Sequence, residues 1–268
     1  PRLGALPGKQ IQLTYSGPVI PPAAGLPSRG SLCETCPVTN SRLLVLFDLD
    51  GTLVDPAGSI TGGIAAALAA SGLPVPPAAE LDRMVGPALK DSLTGIAAVP
   101  ADRLEHVIAE YRRGYRETGM ASSRPYPRVA DAVRTLRAEG ALVAVATQKP
   151  EPLARELLAV QGLDLLFDSI HGSPADERLA AADGKVSIVR AALAQHAGEY
   201  STAVMIGDRS HDVHGASANG IPCIGVGWGF AQDGELEAAG ADAVVQFPED
   251  LVPAVHSCVR TAGAHGTL

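Results

Sequence analysis

A continuous apolar run at 43–47 that ends abruptly in Asp-Leu-Asp-Gly-Thr narrows more than any other feature what this chain can fold into. An unbroken stretch of Leu, Val and Phe suits a strand covered on both faces, which is the condition of a parallel sheet. Similar runs recur at 142–146, 203–206, 223–226 and 243–245, with helical periodicity between several of them, as at 129–139 and 151–161. Strands and helices alternating in this way predict an α/β fold, a doubly wound parallel sheet. The first two runs are separated by residues 48–141, far more than one crossover helix needs. Helical patterns at 60–70, 79–85, 87–97 and 101–117, with a break at Pro74, Pro76 and Pro77, predict that this interval is an inserted small helical domain.

The expected organisation is a flexible Pro- and Gly-rich tail at 1–41, a core at 42–57 and 125–250, the helical insertion at 58–124, and a C-terminal helix and tail at 251–268. A length of 268 residues, 46% of them hydrophobic and 19% charged, is enough to bury a substantial core. The formal net charge of −8 repels a phosphate backbone, so nucleic acid is not an expected partner. The most apolar stretch, 62–79, is interrupted by Ser71, Gly72 and Pro74, so no membrane span is expected. The N-terminal residues lack the charged, apolar and small-residue order of a signal peptide, and the expected location is cytoplasmic. Four cysteines are too few for a disulfide framework, and the Cys33/Cys36 pair, with no second pair of ligands, is read as incidental.

In an open parallel sheet, ligands bind beyond the carboxyl ends of the strands. At the first such end Asp48 and Asp50 stand two positions apart before Gly51 and Thr52. Two anions there repel, and Mg²⁺ relieves that repulsion while neutralising the charge of an incoming phosphate. After the second run come Thr147, Gln148 and Lys149, whose hydroxyl and amides suit phosphate oxygens. After the run at 203–206, Asp208 and Asp212 lie four apart, on one side of a starting helix, with Arg209 between them. Lys185, just after Gly184 at the start of another helical stretch, supplies a point charge for phosphate. The chain has only four lysines, and two of them, Lys149 and Lys185, fall near this crevice.

Asp48-x-Asp50-Gly51-Thr52, Thr147, Lys185 and Gly207-Asp208-x-x-x-Asp212 occur in the order of the four motifs of the haloacid dehalogenase superfamily. The chain resembles the phosphoglycolate-phosphatase-like branch of its phosphatases, over residues 42 to about 250, and 85–92 resembles that branch's cap. The resemblance implies a Rossmann-like core with a helical cap, and a Mg²⁺-dependent hydrolase of small phosphate esters. It implies that Asp48 is the nucleophile and becomes an aspartyl phosphate, while Asp50 protonates the leaving alkoxide and then deprotonates the attacking water. The resemblance further implies that Thr147 and Lys185 bind the transferring group, and that Mg²⁺ is held by Asp48, the Asp50 backbone carbonyl and Asp208, with Asp212 close by. Gly51, Thr52, Gln148, Lys149, Lys90 and Arg209 are the expected substrate-binding residues.

An Asp at position 50 separates this pattern from the dehalogenase and phosphonatase branches, whose leaving groups need no such acid. Three rivals stand beside the hydrolase: a phosphosugar mutase, a regulatory protein on the same fold, and a protein tyrosine kinase of a related branch, which 207–212 and the Val226-Gly227-Trp228-Gly229 sequence also resemble. No GxxxxGK[ST] loop or protein-kinase signature is present. His211 and His214 are read as bystanders, because Mg²⁺ prefers oxygen. Trp228 either lines the crevice or packs beneath its loop.

Overall fold

A computed structural model describes residues 42–176 and 184–264. The expected tail at 1–41, with Cys33 and Cys36, lies outside the described residues. Core and insertion fall within one compact unit, Thr39–Leu268.

The expected apolar runs form strands β1 (Leu43–Phe47), β4 (Leu142–Pro150), β6 (Thr202–Gly207), β7 (Cys223–Val226) and β8 (Ala243–Val245). A further strand, β5 (Ser169–Ser173), completes a six-stranded parallel sheet of order β5-β4-β1-β6-β7-β8. Strand β1 sits inside it, and its side chains divide by the period of two. Val45 and Phe47 join one buried cluster, while Leu44 and Leu46 join another. All four are fully buried, each stabilising the fold by roughly 1.5–3 kcal/mol.

Helices cover both faces. On the Val45/Phe47 face lie α6 (Val129–Ala138), α7 (Glu151–Val160) and α11 (Leu251–Ala264), which contribute Val133, Leu157 and Val255. On the other lie α8 (Lys185–Gln195) and α9 (Ser210–Ser217), which contribute Val189 and Ala216. A short helix, α10 (Glu235–Ala239), packs Leu236 on that side.

The insertion is joined to the core by a small antiparallel ribbon of β2 (Val54–Asp55) and β3 (Arg124–Pro125). Between them run α1 (Ser59–Ala70), α2 (Ala78–Arg83), α3 (Leu89–Gly95) and α4 (Ala101–Gly114). Helix α4 does not end as an α-helix at 117. It widens into a π turn at Tyr115–Gly119 and closes with α5 (Met120–Ser122). Gly119 makes room for this: a Cβ there would lie 2.6 Å from the Tyr115 ring.

Two other expectations are corrected. Strand β4 runs past Ala146 to Pro150, with an irregular register between those residues that carries Thr147, Gln148 and Lys149 inside the strand. Strand β5 reads Ser-Ile-His-Gly-Ser, and as an edge strand with one neighbour it shows no apolar run to read. Among the described residues no helix is long and apolar enough to cross a membrane, and Cys223 and Cys258 are free thiols.

Candidate active site

The carboxyl ends of β1, β4 and β6 meet at one crevice, and three acids from two of them converge there. Asp48, Asp208 and Asp212 each offer a carboxylate oxygen within 4.8 Å of the others, and all three are buried. Asp48 extends β1, its amide donating to the Ile206 carbonyl at 2.9 Å. Asp208 follows β6, and Asp212 enters the first turn of α9, where its carboxylate accepts the Arg209 amide at 3.0 Å in a capping box.

Asp208 is held from three sides. The Thr52 hydroxyl donates to it at 3.1 Å and the Phe230 amide at 2.8 Å. Glycines close the rest: a Cβ at Gly51 would lie 2.2 Å from one carboxylate oxygen, and one at Gly229 would lie 2.3 Å from the Asp208 Cβ. Gly51 also has φ +90°, which its turn needs and side chains resist. Trp228 sits under the same loop, donating its indole N–H to the Thr52 carbonyl at 3.2 Å and packing beside Tyr126.

Two lysines answer the acids. Lys185 Nζ lies 2.6 Å from both Asp48 and Asp212. Lys149 Nζ donates to Asp50 Oδ2 at 2.8 Å and stands 4.4 Å from the centre of the Tyr115 ring, brought there by the π turn. Burial depresses both ammonium groups, but their carboxylate partners outweigh it and hold them charged. The other oxygen of Asp50, Oδ1, is buried without a hydrogen-bond partner among the described residues.

Burial, then repulsion from Asp48 and Asp212, pushes Asp208 well above the usual carboxylate range. Burial with repulsion from Asp48 pushes Asp212 up to about 6, against the pull of Lys185. Burial likewise raises Asp50 despite Lys149. Clustered hard-oxygen donors whose mutual repulsion Lys185 only partly offsets fit a divalent cation such as Mg²⁺.

The other expected residues fall as follows. Thr147 is buried beside Asp48 and accepts the Lys149 amide at 3.2 Å. Gln148 lines the crevice. The Asp50 carboxylate lies outside the three-acid cluster. Thr52 and Gly51 bear on Asp208, as described. Lys90 lies across the crevice on α3, lining a large cavity with His211 and His214. Arg209 is buried with its guanidinium engaged, Nε at 3.0 Å from Glu235 and Nη1 on the Val85 carbonyl of the insertion. Glu235, Tyr115 and the Phe230 amide were not singled out from the sequence. Only the Gly-Trp-Gly around Trp228 marked that loop.

The profile of the family described as haloacid dehalogenase-like hydrolase matches residues 45–226. A 5'-nucleotidase of Pseudomonas aeruginosa is 36% identical over 194 residues, covering 72% of this chain and 86% of that protein. Tyrosine-protein kinase PtkA of Mycobacterium tuberculosis is 38% identical over 192 residues, 72% of this chain but only 64% of the kinase. The crystal structure of a predicted phosphatase from Clostridium acetobutylicum superposes with a TM-score of 0.74 at 32% identity, over 81% of this chain and 99% of that one.

Proposed function

The chain belongs to the haloacid dehalogenase-like hydrolase family and is a phosphatase of that family, and from that premise we propose that it hydrolyses small phosphomonoesters with Mg²⁺ through an aspartyl phosphate on Asp48. One observation carries the reading: a buried nucleophile candidate shares a crevice with two further acids, a bridging lysine and a second aspartate that keeps one oxygen unengaged.

Asp48, Asp208 and the Asp50 carbonyl would hold the ion, with Asp212 beside them, and the ion would supply charge neutralisation for the phosphoryl oxygens. The side chains divide the remaining work. Lys185 and Thr147 bind the transferring group and keep its equatorial oxygens facing fixed donors. Asp48 attacks phosphorus in line as the ester oxygen departs, and Asp50 delivers a proton to that oxygen. Burial raises the Asp50 carboxyl above its ordinary range, which favours its role as proton donor, and Lys149 engages Oδ2 and leaves Oδ1 for the proton transfer. Asp50 then takes a proton from water, which cleaves the acyl phosphate, releases orthophosphate and restores Asp48. The helical insertion, residues 58–124, acts as a cap that limits water during the first step.

The likeness to PtkA favours a second reading, phosphoryl transfer to a protein tyrosine. One experiment separates them. With Mg²⁺ the protein releases orthophosphate from p-nitrophenyl phosphate, EDTA abolishes this, and Asp48→Asn lowers kcat by 10³ or more. Turnover surviving in Asp48→Asn overturns the nucleophile assignment, and γ-phosphate transfer from ATP to tyrosine without ester hydrolysis favours the second reading.

A further inference from the structure

Among the described residues the Asp50 carboxylate takes one hydrogen bond, from Lys149 Nζ to Oδ2 at 2.8 Å, while Oδ1 takes none. The terminal torsion of an aspartate is broad, so the direction of Oδ1 depends on that bond. Lys149 reaches Asp50 from β4 on a flexible four-carbon stem. Its ammonium carries three donors, of which Asp50 uses one. On another side it lies over the Tyr115 ring, 4.4 Å from the centroid. Both side chains are buried, and a cation is drawn to the face of an aromatic ring most strongly where water is excluded.

We propose that Tyr115 is a positioning residue for the proton transfer: its ring pins the Lys149 ammonium and, through it, turns the Asp50 carboxyl toward the departing ester oxygen. This rests on the phosphatase reading and on Asp50 as its proton donor, and it adds a residue of the insertion to machinery otherwise supplied by the core. The ring itself is fixed from several sides. Tyr111, four residues earlier on α4, stacks on it with centroids 5.7 Å apart and planes 19° from parallel. Gly63 on α1 leaves room for Tyr111, since a Cβ there would lie 3.2 Å from that ring, and Gly119 does the same for Tyr115. The π turn that carries Tyr115 is a device found frequently at functional sites.

The ring, and not the hydroxyl, is what Tyr115 contributes. A buried phenol usually finds a hydrogen-bond partner, yet the Tyr115 hydroxyl has none among the described residues. Without the ring, the stem of Lys149 is free to take other rotamers and the Asp50 carboxyl turns with it. A displacement of about 1 Å in a catalytic group can cost roughly 10²-fold in rate.

The test compares esters that differ in their need for a proton. An alkoxide needs one to depart, whereas nitrophenolate is a stable anion and does not. The comparison uses kcat/KM, which reports the first step: the bond from phosphorus to the ester oxygen breaks, phosphorus bonds to Asp48, and the ester oxygen of an alkyl substrate takes the Asp50 proton. With the full chain and Mg²⁺, kcat/KM is measured on p-nitrophenyl phosphate and on whichever of 2-phosphoglycolate, ribose 5-phosphate and glycerol 2-phosphate the native protein cleaves fastest. Tyr115→Leu should lower the alkyl ester's value by about tenfold or more relative to that of p-nitrophenyl phosphate. A loss of folded protein lowers both alike and leaves the ratio where it was. Tyr115→Phe keeps the ring and should keep the native ratio. Gly119→Ala sits at a helical φ of −64°, where alanine is unstrained, and drives a methyl group against the Tyr115 ring, so it should shift the ratio in the same direction as Tyr115→Leu.

If both kinds of ester are cleaved but a folded Tyr115→Leu, or Gly119→Ala where that variant does not fold, leaves the ratio unchanged, the assignment of Tyr115 falls and the phosphatase reading stands. The same holds if Tyr115→Phe moves the ratio as far as Tyr115→Leu. If p-nitrophenyl phosphate alone is cleaved, there is no working proton donor to position, and again only the assignment of Tyr115 falls. If no ester is cleaved, both fall.

Discussion

Asp208 shows how much of a site is built by residues that contribute no chemistry of their own. Its carboxylate takes bonds from a hydroxyl and a backbone amide, and two glycines make the room it occupies against their backbones. Gly229→Ala would drive a methyl group to 2.3 Å from the Asp208 Cβ, where something must move. Calorimetric titration with Mg²⁺ should show affinity reduced by tenfold or more in this variant while the thermal transition stays cooperative, and unchanged affinity would mean that Asp208 does not hold the ion. The acids themselves were legible in the sequence, because paired carboxylates at the ends of apolar runs are rare without a cation to face. Their supports were not. The Phe230 contact is made by an amide that every residue except proline has, and Glu235 lies far along the chain in an ordinary surface-helix pattern. Arg209 looked available for an anionic substrate, but its guanidinium joins Glu235 to the Val85 carbonyl, a pairing only three-dimensional proximity reveals.

At the scale of elements, Glu235 at the start of α10 ties three pieces together. It accepts from the Ser210 amide and hydroxyl, both at 2.8 Å, and from Arg209, thereby linking α9, α10 and the insertion. Burial pushes its carboxyl up, but those bonds and the Gln232 amide outweigh it and bring it down to about 2. A depressed carboxylate contributes stability that is complete above the unfolded value near 4.5 and is lost as pH falls toward 2. The difference in melting temperature between the native protein and Glu235→Gln should thus be constant near pH 7 and shrink between about pH 5 and pH 2. A difference independent of pH would show that its charge is not what matters. Periodicity found the cap helices but not the π turn in α4, since one extra residue in a turn hardly alters an apolar pattern. It also missed β5, whose polar residues suit the sheet's edge.

Across the whole molecule, the sheet was the most legible part. Strands buried on both faces have to be apolar throughout, so β1, β6 and β7 announce themselves. The order β5-β4-β1-β6-β7-β8 was not legible, because β1 pairs with two strands far along the chain. What the sequence could not convey was the space enclosed by the insertion, because a cavity is the difference between surfaces that meet only after folding. The chain contains a single tryptophan, and its indole is bonded to the same threonine whose hydroxyl reaches Asp208. Emission excited selectively from tryptophan therefore observes one place only. Adding Mg²⁺ should shift or quench that emission along a saturable curve in the native protein and leave it flat in Asp208→Asn, so cation loading can be followed by light without any turnover; an equal response in both proteins would place the ion elsewhere.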